Sequence, residues 1–475
     1  MRLNSRRQAF GKFGFVQHPD PKKNPPCMKY LRRFATSASS VEVPTYLMPK
    51  LLFVLALIVA VLQPTPAQRT LAGVAALNPV PIKEVRALWV VRTTLTSPEK
   101  IRAMVQAAAD NGFNTLIVQV RGRGDAYYFS RREPRAAELK DQPADFDPLA
   151  LTLKEAKQRG LQVHAWINTS LLGNLDSLPT EPSHVYHKHP EWLAVPRPIA
   201  ADLYRMSPRD PRYRERIVEW SKANRGELEG VYTGPANPKV REHIYRIWMD
   251  ILDHYPIDGL HFDYVRFASP DFDYSRTSLE RFWKWLEPSL SSGQRHDLKQ
   301  SLKVNPLAAA ELHADRFADF QRAQVTLLVA RIYHAVKERR PNVVVSAAVF
   351  ANDENAYTRR FQDWRKWLQM GILDVACPMA YSTDTAVFAK QIEVATRSAH
   401  DAKRSVWAGI GAYRIPPEST IEKIEVARKL GADGIILFSY DFTTRPGPLN
   451  PGGEYLQRIR RAAFDSPNSS ESPRP

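Results

Sequence analysis

Short apolar runs alternate with helical patterns along most of this chain. Runs rich in Val, Ile and Leu that are separated by helices are typical of buried parallel strands. Eight runs fit this description: Val85–Val91, Thr115–Val120, Leu161–Ile167, Gly259–Val265, Val343–Val349, Ile372–Met379, Val406–Ile410 and Gly434–Tyr440.

The segments between these runs carry helix start and stop signals. Ser97-Pro98 predicts a helix start and Gly112 its end, while Asp147-Pro148 and Gly160 bound a second helix. Eight strand–helix units predict a single (β/α)8 barrel, a TIM barrel, over residues 84–464. The alternative, a doubly wound open sheet, requires a glycine-rich loop after its first strand, and residues 90–94 (VVRTT) do not provide one.

Two connections are unusually long. Residues 169–257 follow the third predicted strand and residues 266–341 follow the fourth. We expect the first to be irregular up to a helix near Val240–His254, and the second to contain helices, notably over about 308–339. Loops after barrel strands build the active-site face, so both predict cleft walls.

The N-terminal region has the layout of an exported protein. Residues 48–67 combine a short positive start, twelve apolar residues and a small-residue end, which predicts a signal peptide cleaved after Ala67. Twelve apolar residues are too few for an ordinary membrane span, which needs about twenty; an uncleaved anchor is the alternative. We therefore expect a periplasmic or secreted protein without stable membrane insertion beyond this segment.

The flanking regions contain no strand or helix pattern. Residues 1–47 are a basic, unpatterned leader, which suggests that the true start codon is Met48 or Met28. Residues 68–83 are expected to be a linker, and residues 465–475 a disordered tail.

The net charge limits the classes of partner that this protein can bind, and the cysteine content limits its disulfide and metal sites. The net charge is +17, and removing residues 1–67, with ten Lys/Arg and two Asp/Glu, leaves 57 against 48, or +9. A basic surface suits an anionic partner such as a wall polymer; export and the lack of a nucleic-acid-binding motif argue against nucleic acid. Of Cys27 and Cys377 only the second would survive processing, which excludes an internal disulfide and a cysteine zinc cluster.

Barrel enzymes carry their reactive groups at the carboxyl ends of strands. Asp263 follows an apolar strand, where a charge is costly unless it is paired or used, so it is the first candidate for catalysis. A salt bridge to Arg121 or Arg266 is the structural alternative. The candidates for a second catalytic carboxylate are Asp353, Glu354 and Asp441.

Amides, aromatics and histidines accompany these carboxylates at the predicted strand ends. The candidate substrate-binding residues are Gln119, Arg121, Asp125, His164, Trp166, Asn168, His261, Tyr264, Tyr381 and Asp384. We interpret both histidines as hydrogen-bonding wall residues rather than metal ligands, because the first strand lacks the His-x-His of metal-dependent barrel hydrolases. No metal or cofactor is expected, and the absence of Gly-x-Ser-x-Gly argues against a serine esterase.

Several stretches resemble the glycosyl-hydrolase-like family 10, a group of bacterial envelope-associated barrels. The matching stretches are residues 84–90 (EVRALWV), 112–115 (GFNT), 119–121 (QVR), 124–128 (GDAYY), 163–168 (VHAWIN), 258–264 (DGLHFDY), 374–375 (DV) and 378–381 (PMAY). The resemblance implies a (β/α)8 barrel that acts on polysaccharide, with peptidoglycan glycan strands as a plausible substrate. It also implies a carboxylate at the end of the fourth strand, here Asp263, although the family's usual second Asp directly after it is Tyr264 in this chain.

These observations predict an O-glycosyl hydrolase of a cell-envelope or extracellular polysaccharide that uses two carboxylates and no cofactor. The alternative is a non-catalytic polysaccharide-binding barrel, because a fold does not establish chemistry. The sequence does not indicate an oligomeric state.

Overall fold

A closed eight-stranded parallel barrel forms the centre of the molecule. The computed structural model describes residues 84–226 and 228–465, so the predicted leader, signal peptide, linker and almost all of the tail lie outside the described residues. The barrel strands are β1 (Val85–Val90), β2 (Thr115–Arg121), β3 (Gln162–Asn168), β6 (Gly259–Asp263), β7 (Val344–Val349), β8 (Val375–Pro378), β9 (Ser405–Ile410) and β10 (Gly434–Phe438). β1 pairs with both β2 and β10, which closes the sheet and confirms the predicted TIM barrel.

Helices surround the barrel and begin where the sequence signals them. Ser97 caps α1 (Pro98–Asp110) by accepting a hydrogen bond from the backbone N–H of Lys100, and Asp147 caps α2 (Pro148–Gln158). The remaining helices are α3 (Val185–Lys188), α4 (Arg197–Arg205), α5 (Pro211–Ala223), α6 (Pro238–His254), α7 (Arg276–Leu286), α8 (Ser292–Val304), α9 (Ala308–Leu312), α10 (Ala314–Arg339), α11 (Asp353–Arg359), α12 (Trp364–Gln369), α13 (Thr385–Asp401), α14 (Pro417–Lys429), α15 (Tyr440–Thr443) and α16 (Tyr455–Ile459). None of the helices in the described part of the chain has both the length and the apolarity that crossing a bilayer requires.

The long connection after β3 is more ordered than the sequence analysis expected. It contains α3, α4 and α5 as well as an antiparallel hairpin of β4 (Leu171–Asn174) and β5 (Gly230–Tyr232). The expectation of an irregular segment is wrong. Asp210 caps α5 and Pro211 occupies its first turn, and this pair is a helix start signal. β4 and β5 are short and about 60 residues apart in sequence, so neither could be recognised from a local pattern.

Two apolar layers hold the barrel together. Side chains of one strand face, among them Trp89, Trp166 and Trp407, form a cluster that fills the barrel interior. The other face of each strand packs against the helices in a much larger core that includes Leu88, Val118 and the helix residues. The barrel is therefore a packed core, and solvent reaches it only at the strand ends.

Arg121 and Glu133 form a fully buried ion pair beside β2. The guanidinium donates to both carboxylate oxygens at 2.7 Å, and the exposed fractions of the two side chains are 1% and 0%. Arg121 also donates to the backbone carbonyl oxygen of Asn168, and His243 contacts Glu133 at 3.2 Å. The Arg121 charge holds the pKa of the Glu133 carboxyl well below its usual range. The predicted sugar-binding Arg121 is thus occupied by a structural contact.

Replacing Glu133 by Gln should lower the free energy of unfolding by about 3–5 kcal/mol, because the Arg121 charge would remain buried without its counter-ion. Urea unfolding of both proteins measures this difference. The matched control is Glu393→Gln, which breaks an exposed pair with Arg397 on α13 and should cost less than about 0.5 kcal/mol. Equal losses in the two variants would contradict the structural role of the buried pair.

Candidate active site

A cleft of about 520 Å³ opens at the carboxyl ends of the barrel strands. Residues at nearly every strand end and residues of the long connection after β3 form its wall. The lining residues are Trp89, Val91, Arg92, Gln119, Arg123, Trp166, Asn168, Leu171, Asn174, Glu229, Asp263, Tyr264, Arg266, Ala348, Phe350, Met379, Tyr381, Tyr413 and Phe438. Two carboxylates occur in this wall, Asp263 and Glu229.

Asp263 is the last residue of β6 and is 8% exposed. One carboxylate oxygen accepts the backbone N–H of Tyr264 at 2.7 Å, and the other accepts the indole N–H of Trp166 at 3.1 Å. Burial raises the pKa of the Asp263 carboxyl to about 6, against the lowering effects of the nearby Arg266 charge and these hydrogen bonds. Near neutral pH this group therefore holds a proton far more readily than an ordinary aspartate.

Glu229 lies immediately before β5, in the hairpin that the long connection folds over the barrel mouth. Its carboxylate is 3.2 Å from the Arg266 guanidinium and accepts the hydroxyl hydrogen of Tyr232 at 3.2 Å, while its side chain remains 56% exposed. Partial burial opposes ionisation of Glu229, but the Arg266 charge and hydrogen bonds from tyrosine hydroxyls outweigh it and lower the pKa. Glu229 is therefore the ionised carboxylate of the cleft.

A hydrogen-bonded chain extends from Asp263 across three neighbouring strands. The Trp166 indole N–H is shared between Asp263 and the Asn168 side-chain oxygen, which lies 2.8 Å away. The Gln119 amide donates to that same oxygen at 3.4 Å and accepts from the Arg92 guanidinium at 3.0 Å. These links fix the polar floor of the cleft relative to the buried carboxyl.

Aromatic rings line the side of the cleft that β8, β9 and β10 form. Tyr381 stacks on Phe438 with ring centroids 5.5 Å apart, and Tyr413 meets both rings edge-on. Tyr413 is 37% exposed, so part of its ring is available to a ligand. Flat apolar faces beside polar groups are suited to sugar rings.

The structure brings together six of the residues predicted for the site. These are Gln119, Trp166, Asn168, Asp263, Tyr264 and Tyr381, all of which line the cleft. Tyr264 has a left-handed backbone conformation with φ 50°, and its ring lies under the Arg266 guanidinium at 4.6 Å.

The other predicted carboxylates lie elsewhere. Asp353 and Glu354 are in the first turn of α11 and line a separate surface groove, where Asp353 is paired with Arg365 at 2.7 Å. Asp384 caps α13 by accepting two backbone N–H groups. Asp441 is at the height expected from the sequence, but its carboxylate accepts the Val91 backbone N–H and the Thr94 hydroxyl hydrogen, so it anchors the turn after β1.

The remaining predicted residues are also outside the cleft wall. His261 lies in the barrel interior, where its ring accepts the Trp89 indole N–H and bonds the Ser346 hydroxyl. The His164 ring is fully buried against Trp407 and so close to Gly259 that a Cβ there would overlap it. Burial lowers the pKa of His164 to about 4 and that of His261 to about 3, so both rings are neutral. Asp125 accepts the Arg123 backbone N–H in the loop after β2.

Glu229, Arg123 and Arg266 were not among the predicted site residues. Glu229 belongs to a segment whose place over the barrel depends on the pairing of β5 with β4. No local signal pointed to it, because residues 228–232 (LEGVY) contain only three apolar residues, interrupted by Glu229 and Gly230. Within residues 84–226 and 228–465, no three His, Cys, Asp or Glu side chains are grouped to hold a metal ion.

Comparison with known proteins agrees with this architecture. The family model described as "Glycosyl hydrolase-like 10" matches residues 84–222 and 214–425. The chain belongs to the Glycosyl hydrolase-like 10 family. Membership in this family supports a glycosidase-like function and implies a polysaccharide as the ligand.

Two curated relatives carry hydrolase names. Glycosyl hydrolase DigH of Escherichia coli (strain K12) is 24% identical over 381 residues, which is 70% of this chain and 74% of that protein. Glycosyl hydrolase YngK of Bacillus subtilis (strain 168) is 23% identical over 421 residues, which is 78% of this chain and 70% of that protein.

Solved structures show the same fold. The glycoside hydrolase domain of PgaB (BpsB) from Bordetella bronchiseptica has a TM-score of 0.54 at 15% identity, covering 81% of this chain and 100% of that one. The catalytic domain of β-amylase from Paenibacillus polymyxa has a TM-score of 0.53 at 11% identity, covering 80% and 98%. This Glycosyl hydrolase-like 10 member therefore shares its barrel with structurally known glycosidases.

The raised pKa of Asp263 predicts how the free energy of unfolding changes with pH. A carboxyl whose pKa is higher in the folded than in the unfolded protein stabilises the fold below its unfolded pKa, and this contribution is lost as pH rises through about 6. Asn does not titrate, so the difference in free energy of unfolding between Asp263→Asn and wild type should change with pH. The variant should be about 2 kcal/mol more stable relative to wild type at pH 7.5 than it is at pH 4. Urea unfolding at both pH values measures this gain. A difference that does not change with pH would show that Asp263 titrates like an exposed aspartate.

Proposed function

We propose that this protein is a glycoside hydrolase that cleaves O-glycosidic bonds in a cell-envelope or extracellular polysaccharide. Peptidoglycan glycan strands are the first substrate to test, and the proposal includes export of the protein to the periplasm or the medium. The observation that carries it is the pair of carboxyls with opposite pKa shifts, Asp263 and Glu229, in one aromatic-walled cleft at the barrel mouth.

Glycoside cleavage needs one carboxyl that donates a proton and one that is ionised. The dry Asp263 carboxyl, with its pKa near 6, is the general acid that protonates the leaving glycosidic oxygen. Glu229, kept ionised by Arg266, is the base or nucleophile on the other side of the sugar. The proposed mechanism does not use the three other predicted carboxylates, Asp353, Glu354 and Asp441, because none of them lines the cleft wall.

Sugar binding is assigned to the remaining cleft surface. The exposed edge of Tyr413 and the Tyr381–Phe438 stack offer apolar faces to pyranose rings. The amides of Gln119 and Asn168 offer polar contacts to hydroxyl or N-acetyl groups, and their mutual hydrogen bond holds them in place before the sugar arrives.

Removing either carboxyl should abolish most of the activity. Asp263→Asn and Glu229→Gln are each expected to lower the release of reducing ends from peptide-free glycan strands by about 10²–10⁴-fold, because each removes a proton-transfer or nucleophilic group. The matched controls are Asp353→Asn and Glu354→Gln, which make the same chemical changes in the separate groove and should leave the rate within about twofold of wild type. Glycan binding without product release by wild type across several polysaccharides would instead favour a binding protein.

The pH profile should follow the two carboxyls. The rate is expected to fall as pH rises through about 6, because Asp263 loses its proton, and to fall again in acid, where Glu229 becomes protonated below the usual glutamate range. Initial rates between pH 3 and pH 9 measure this bell. A rate that keeps rising above pH 7 would contradict the assignment of Asp263 as the acid.

A further inference from the structure

Two arginines, Arg92 and Arg123, line the wall of the cleft next to the ends of β1 and β2. Both are half-buried, and burial first and then the nearby Arg92 charge lower the pKa of Arg123. Burial of two like charges in one wall is costly when no anion offsets it. The two arginines therefore need a counter-ion in or near this wall.

The carboxylates of the cleft are committed to other partners. Asp263 accepts from Trp166 and Tyr264, and Glu229 is paired with Arg266. Within the described residues, neither Arg92 nor Arg123 has a carboxylate within ion-pair distance, and the nearby charges of Asp125 and Glu138 act on Arg123 only from farther away. The Nε atom of Arg92 is buried and has no hydrogen-bond partner among these residues.

The backbone beside Arg92 and Arg123 contains two closely packed glycines, Gly122 and Gly124. The Arg92 side chain lies directly on Gly122, where an added Cβ would be 2.4 Å from the Arg92 Cδ, and the Arg92 guanidinium donates to Gln119. Gly124 has φ 81° and a Cβ there would overlap the His184 ring, which itself bonds the Arg123 carbonyl oxygen at 2.8 Å. Gly122 thus lets the Arg92 side chain lie against the backbone, and Gly124 lets the His184 ring hold the backbone of Arg123.

We propose that Arg92 and Arg123 form a subsite for a carboxylate group carried on a sugar of the glycan. A guanidinium binds a carboxylate through two parallel hydrogen bonds, and two guanidiniums can surround one such group. The Arg92–Gln119–Asn168–Trp166 chain connects this subsite to Asp263, so the acidic sugar binds in the same cleft as the reacting carboxyl. The inference rests on the proposed function and refines it: the preferred substrate is an anionic glycan.

The sugar carboxylate has two chemical sources, a uronic acid or a lactyl ether on an amino sugar. Titration calorimetry of the wild-type full chain with tetragalacturonic acid, with a tetrasaccharide of alternating N-acetylglucosamine and N-acetylmuramic acid, and with the methyl ester of each compares them directly. At least one free acid should bind about tenfold or more tightly than its own ester, and this preference should shrink with added salt. Equal affinities of acid and ester in both pairs would overturn the proposal, whatever the variants do.

Single variants assign the preference to the two arginines. Arg92→Gln and Arg123→Gln should each reduce the acid-over-ester ratio by about tenfold. Any loss of the contact between Arg92 and Gln119 weakens acid and ester binding alike and cancels in the ratio. The control is Arg132→Gln, which removes the same charge from an exposed position outside the cleft wall and should keep the wild-type ratio. If both cleft variants kept the wild-type acid-over-ester affinity ratio, a different cation would bind the carboxylate, and the assignment would be overturned.

The same titrations separate this inference from the proposed function. The ligand recovered after each titration is analysed by mass spectrometry for cleavage products. If the free acid binds more tightly than its ester but the ligand is recovered intact, hydrolysis is refuted and the subsite is supported. If acid and ester bind with equal affinity and both are cleaved, the subsite is refuted and hydrolysis is supported.

Discussion

The proposed chemistry of this protein depends on the loss of water around one carboxyl group, that of Asp263. The strand that carries it is buried on both faces, so the side chain at its end enters the cleft almost dry. Two hydrogen bonds hold the carboxyl but do not compensate fully for lost solvation, and its pKa rises to about 6. Glu229 reaches the same cleft from a hairpin, stays more exposed and is kept charged by Arg266. The two carboxyl groups thus have pKa values shifted in opposite directions by their surroundings, which is the combination that the proposed glycoside cleavage requires.

The fold separates groups that stabilise it from groups that remain available. Arg121 and Glu133 neutralise each other in the dry layer beside β2, and Asp441 and Asp384 satisfy backbone N–H groups at turns and helix starts. In the cleft, by contrast, burial opposes the ionisation of Asp263, and among the described residues neither Arg92 nor Arg123 has a carboxylate within ion-pair distance. The cleft thus contains buried charges that cost stability, as expected of a functional site.

The barrel could be predicted from the sequence because each strand is a local run of apolar residues and several helices, such as α1 and α2, begin at a capping residue followed by proline. The position of Asp263 followed from the rule that strand ends face the active site. Glu229 could not be found in this way, because its place depends on pairing between β4 and β5 across about 60 residues. Asp441 satisfied the strand-end rule, yet its carboxylate is used by the turn after β1, a contact that only the three-dimensional structure reveals. His164 and His261 shared the predicted face but lie one layer too deep, inside the barrel.

A crystal structure of the full-length Asp263→Asn protein with a bound glycan oligosaccharide tests the central claim most directly. The account predicts a glycosidic oxygen about 3 Å from the side chain of residue 263, with the Glu229 carboxylate facing the adjoining anomeric carbon from the other side. Sugar rings bound in the groove beside Asp353, or in the cleft with no glycosidic oxygen near residue 263, would contradict it.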